Sequence, residues 1–112
     1  MSMLKKHHRL TVAAFDAHFK SGKRRHGTYL QLIHSPAPVF HGAVVVGKKV
    51  YKTAVGRNRL RRQLYAVLFE YKQQKNNPGV YIALVKPAAR LVPVSEVRAE
   101  LRTLLAQCTQ SR

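Results

Sequence analysis

Acidic residues are nearly absent from this chain: Asp16, Glu70, Glu96 and Glu100 stand against 21 Lys and Arg, a formal net charge of +17 over 112 residues. Four carboxylates spread so widely form no pair at the spacing that general acid–base chemistry uses. The six histidines have no evident orienting partner, and the adjacent His7 and His8 lack the further spaced ligands of a metal site. No nucleophile-elbow, phosphate-loop or metalloprotease pattern occurs. Cys108 is the single cysteine, so a disulfide framework and a cysteine-based zinc site are excluded. It reads as a small buried residue near the end of the last helix. No apolar run approaches the length of a membrane span, and MSMLKKHHRL lacks the apolar core of a signal peptide. The expectation is a cytoplasmic protein, in a reducing compartment, with no catalytic and no metal-binding residue of its own.

The shortage of acid is also uneven. Between Asp16 and Glu70 there is none, while eleven Lys or Arg fall there, seven of them between Lys48 and Arg62. A surface helix ordinarily interleaves arginine with glutamate at i, i+4. A stretch without such partners repels itself unless a polyanion lies against it. Nucleic acid is therefore the first candidate partner and an anionic membrane surface a weaker second. With 46% hydrophobic residues, the chain is no disordered basic tail and has the material for one modest core. One domain over residues 1–112 is expected, with residues 1–10 as a basic arm.

Taken in order, Thr11 reads as the N-cap of a short helix, VAAFDAHFK, with Phe15 and Phe19 on one face at i, i+4. Such a stripe fits a core; it also fits an exposed groove on which unpaired bases stack. SGKRRHG reads as a loop. HGTYLQLIH alternates as a half-exposed strand, with Thr28, Leu30 and Leu32 on one face and Tyr29, Gln31 and Ile33 on the other. Phe40 to Gly47 is the second strand, expected to pair with the first in an antiparallel, hairpin-like unit. Ala43 to Val46, apolar on both faces, is read as central in the sheet.

The main helix is expected from Thr53 or Ala54 to Gln74, with Leu60, Leu64, Val67, Leu68 and Tyr71 as its buried stripe. Asn58, Arg62, Tyr65 and Phe69 fall on its outward side, and Arg57, Arg59 and Arg61 flank the stripe. NNPG ends it. VYIALV then has the continuous apolar character of a strand buried on both faces, KPAAR is a loop, and Ser95 caps a last helix that buries Val97, Leu101, Leu104 and Leu105. The order is α-β-β-α-β-α, an α+β sandwich of one sheet covered by helices.

Arginine forks match phosphate geometry and also stack on bases, and a helix start adds free amide donors and partial positive charge. Lys48, Lys49, Lys52, Arg57, Arg59, Arg61 and Arg62 thus form a candidate phosphate-gripping surface, with Asn58 able to bond a base edge or a ribose. A solvated charged face is the plain alternative.

The segment VVVGKKVYKTAVGRNRLRRQL resembles the protein subunit of bacterial ribonuclease P, with its apolar strand, Lys-Lys pair, crossover and Arg-Asn-Arg helix start. LKKHHRL resembles that family's basic arm, Phe15 to Phe19 its first helix, and VYIALVKPA the strand and loop after its long helix. The resemblance implies an α/β sandwich with an unusual left-handed β-α-β crossover, against the usual preference. It further implies that Lys48, Lys49, Lys52, Arg57, Asn58, Arg59, Arg61 and Arg62 bind the ribonuclease P RNA. A cleft containing Phe15 and Phe19, with the strand around Tyr29 to Ile33 as further candidate lining, would hold the 5′ leader of precursor tRNA. Catalysis would lie with the RNA and Mg²⁺ bound chiefly by RNA and substrate, with no membrane and no obligate protein partner. Tyr65 and Val85 stand where the family often carries basic residues. A structural RNA-binding protein of ribosomal type, and a DNA binder with the arginine helix in a major groove, are the competing classes.

Overall fold

A computed structural model describes residue 17, residues 20–74 and residues 78–110. Its elements are β1 (Lys23–His26), β2 (Leu30–Ser35), β3 (Phe40–Val45), α1 (Ala54–Gln74), β4 (Gly79–Val85), a short 3-10 helix (Pro87–Leu91) and α2 (Val94–Gln110). The basic arm and most of the expected first helix, including Phe15 and Phe19, lie outside the described residues. Lys20 and Ser21 are helical, and the Ser21 hydroxyl donates to the Ala17 carbonyl. Among the described residues no helix is long and apolar enough to cross a membrane.

One mixed sheet runs in the order β1-β2-β4-β3. β2 pairs antiparallel with both β1 and β4, and β3 pairs parallel with β4. Three sequence expectations are corrected by this order. Lys23–His26, expected in a loop, is an edge strand whose exposed basic residues bury little; the ladder with β2 holds it. β2 and β3 do not pair, because β4 inserts between them. β3 is consequently an edge strand, not a central one, and Val45 is exposed. The centre belongs to β4, as its unbroken apolar run predicted: Val80, Tyr81, Ile82 and Ala83 are all fully buried.

Alternation divides the side chains between two faces. Leu30, Leu32, Phe40, Val44, Tyr81 and Ala83 join the buried stripes of both helices in the main core. Those stripes are the expected ones, Leu60, Leu64, Val67, Leu68 and Tyr71 from α1 and Val97, Leu101, Leu104 and Leu105 from α2, with Cys108 buried beside them. Tyr81 is central to the packing. His34 stacks on it at 4.8 Å, Phe40 at 5.3 Å, and Tyr71 meets it edge-on at 5.3 Å. On the opposite face Ile33, Ala43, Val80 and Ile82 form a second buried cluster. Gly79 opens β4 at φ +139°, where a Cβ would lie 3.2 Å from both His34 Nε2 and the Ser35 carbonyl oxygen. Glycine meets both demands.

The turn between β1 and β2 is held from a distance. Both Glu100 carboxylate oxygens accept backbone N–H groups, from Thr28 at 2.9 Å, Tyr29 at 2.8 Å and Leu30 at 2.9 Å. Thr28 and Tyr29 therefore belong to this turn and not to the strand expected to begin before them. Lys86 closes the other side, its Nζ donating to the Gly27 carbonyl at 2.7 Å and its backbone N–H to Tyr29 at 2.8 Å. A Cβ on Gly27 would overlap the Glu100 carboxylate. One α2 side chain thus fixes the far end of the sheet. The segment expected as a loop after β4 is the 3-10 helix, started by Pro87, and α2 begins at Val94, one residue before the expected cap, with Glu96 N–H on the Pro93 carbonyl.

Candidate nucleic-acid interface

The basic residues sit where β3 turns into α1. After β3 the chain folds back at Gly47, whose carbonyl accepts the Val50 and Tyr51 N–H groups at 3.1 and 3.4 Å. Val50 is buried and anchors this turn in the core, which leaves Lys48 and Lys49 exposed beyond it. Thr53 then caps α1, its hydroxyl oxygen accepting the Gly56 N–H at 3.2 Å and its carbonyl the Arg57 N–H. No acid occupies the first turn.

The eight predicted residues divide into two groups. Arg57 is half-buried, and its Nη1 donates to the Tyr51 and Lys52 carbonyls at 2.9 Å each. It ties the loop to the helix. Arg61 is also half-buried; its Nη2 donates to Asn58 Oδ1 at 2.7 Å, and its Nε is buried without a hydrogen-bond partner among the described residues. Lys48, Lys49, Lys52, Arg59 and Arg62 are instead exposed. Among the described residues no carboxylate pairs with any of the eight. Glu70 pairs with Arg102 of α2 at 3.3 Å, and Glu100 is held by the turn it supports. The exposed cations therefore keep their field for a partner.

Two outward assignments on α1 change. The Tyr65 hydroxyl reaches the open edge of β3 and accepts the Val44 N–H at 3.3 Å, and Phe69 packs, half-buried, on the main core. Val85 likewise packs on that core. At Tyr65 and Val85 this chain thus has packing groups instead of surface charge. Beside Arg59 lies a cavity of about 160 Å³ between the first turns of α1, the 3-10 helix and the start of α2. Its apolar wall could not be foreseen from sequence, since Ala89, Val94 and Val97 come from segments distant in the chain. Among the described residues no group of three or more His, Cys, Asp or Glu is placed to hold a metal ion.

Fold and surface together define a small α+β protein whose sheet carries, at one end, a cationic loop and helix start with no carboxylate partner among the described residues. The Ribonuclease P family model matches residues 4–109. The ribonuclease P protein component of a Synechococcus strain is 38% identical over 111 residues, covering 92% of this chain and 83% of the relative. That of Microcystis aeruginosa is 35% identical over 100 residues, covering 83% and 82%. Among solved structures, the Staphylococcus aureus RNase P protein superimposes with a TM-score of 0.74 at 18% identity, covering 90% of this chain and 94% of that one. The chain belongs to the ribonuclease P protein component family, the protein subunits of a tRNA-processing ribonucleoprotein.

Proposed function

We infer that this chain docks on ribonuclease P RNA through Lys48, Lys49, Lys52, Arg59 and Arg62, while Arg57, Asn58 and Arg61 hold those cations in place. One observation carries this reading: five exposed cations on two adjoining segments, with no carboxylate partner among the described residues. In a folded protein such a surface gains from meeting phosphates and gains nothing from the fold. The partner RNA, with Mg²⁺ bound by RNA and substrate, performs the cleavage. The protein's share is electrostatic and positional, in the cytoplasm, and uses none of its own side chains as metal ligands.

The second half of the proposal concerns substrate. Phe15 and Phe19, which lie outside the described residues, are proposed to contact the 5′ leader of precursor tRNA, together with the sheet face of Ile33, Ala43, Val80 and Ile82. Buried apolar residues on the face opposite α1 and α2 support it. The left hand of the β3-α1-β4 crossover is part of the same proposal.

The test is cleavage of precursor tRNA by a bacterial ribonuclease P RNA at low Mg²⁺, with and without this protein. Cleavage at the mature 5′ end that depends on the protein is expected. Tight RNA binding without stimulation would favour a purely structural RNA-binding role. Phe15→Ala is expected to weaken binding of leader-containing substrate while leaving binding of the RNA subunit unchanged.

A further inference from the structure

We propose that the cavity beside Arg59 receives one unstacked nucleobase of the partner RNA. This rests on the RNA-docking reading above and adds a base-specific pocket to its phosphate contacts. The space, about 160 Å³, is well under the roughly 300 Å³ at which pockets for drug-sized molecules begin. It suits a single planar ring system.

Its lining has the two characters a base requires. Leu60, Val94 and Val97 are apolar, and Tyr51 adds an aromatic ring. Arg59 and Gln63 are the polar members. Neither side chain makes a hydrogen bond among the described residues, although Gln63 is half-buried. An amide that both donates and accepts, set beside a guanidinium, can bond a base edge, while apolar and aromatic walls take its faces.

The pocket is shaped by its neighbours. Gly56 lets the Tyr51 ring lie against α1, since a Cβ there would come within 3.1 Å of that ring. Within two positions of lining residues in sequence, Val55 is 67% and Leu91 79% exposed. Exposed apolar groups beside a cationic surface are poor at binding phosphate and well suited to cover an extruded base. Charge complementarity decides the occupant: with Lys52, Arg59 and Arg62 on the adjoining loop and helix, a polyanion that also carries flat apolar rings fits, and an acidic peptide would leave the apolar wall uncovered.

The experiment measures binding of a bacterial ribonuclease P RNA by wild-type protein and by Gln63→Leu, across a salt series. Dimethyl sulfate footprinting of unpaired bases accompanies each. Gln63 is half-buried and makes no hydrogen bond among the described residues, so the variant is expected to fold; its unfolding temperature is checked alongside. The expected result is a loss of affinity of about two- to tenfold, the range of one net hydrogen bond. The salt slope should stay unchanged, because no phosphate contact is removed. One base protected by wild-type protein should become reactive with the variant. Equal affinity and identical footprints for the two proteins would overturn the pocket while leaving the docking surface standing. No salt-dependent binding by wild-type protein would overturn both.

Discussion

Arg57 and Arg59 lie two positions apart and do different work. The Arg57 guanidinium bonds two loop carbonyls, whereas Arg59 is exposed and makes no hydrogen bond among the described residues. Arg57→Ala should therefore cost stability, about 1–2 kcal/mol for charge-assisted bonds at a half-exposed site. That corresponds to a fall of roughly 4–15 °C in Tm for a chain of this size, with little change in the salt slope of RNA binding. Arg59→Ala should leave Tm within about 2 °C and flatten the slope by ~0.9. Paired melting curves and binding titrations separate the two. The sequence marked both as RNA-binding because both carry the same group; which carbonyls a side chain meets depends on how the loop folds back at Gly47. Glu100 is the clearer omission. In the sequence it is only one of four scattered acids, yet it takes three N–H groups some seventy residues away. Glu100→Ala should destabilise by about 2–3 kcal/mol in chemical denaturation, since three backbone donors lose their acceptor. Gly27→Ala should do comparable damage by displacing the same carboxylate.

At the scale of elements, α1 and α2 were legible and the sheet order was not. The stripes of α1 and α2 follow a 3.6-residue period that packing respects, so position in the sequence gives position on the surface. Strand pairing has no such local rule. Two neighbouring strands with a proline-containing connection invite a hairpin, but β4, apolar on both faces, gains most at the centre and takes the place beside β2. The edge strand β1 carries KRRH and no apolar alternation, and its backbone ladder alone identifies it. The same logic explains Tyr65. β3 ends as an edge with an unpaired N–H at Val44, which the Tyr65 hydroxyl satisfies. Tyr65→Phe should cost about 0.5–1.5 kcal/mol, and amide exchange at Val44 should quicken accordingly. An unchanged exchange rate there would mean that the hydroxyl does not protect the edge.

For the molecule as a whole, the charge of +17 is not spread evenly. Of the three acids among the described residues, Glu100 holds the β1–β2 turn and Glu70 pairs across α1 and α2. Among the described residues no carboxylate pairs with the β3–α1 junction, and a polyanion lying against it would relieve the self-repulsion there. Composition already pointed to this, because net charge and the absence of acid between Asp16 and Glu70 need no fold to be counted. What composition could not supply is the cavity, assembled from α1, the 3-10 helix and α2.

The most direct test is the salt dependence of binding to ribonuclease P RNA for the wild-type protein and for a variant with Lys48, Lys49, Lys52, Arg59 and Arg62 all changed to Ala. If each of the five neutralises one phosphate, the logarithmic slope should flatten by roughly 4 to 5 at an unchanged fold, with binding at physiological salt largely lost. An unaltered slope in a variant that melts like the wild type would show that the RNA is gripped by some other face.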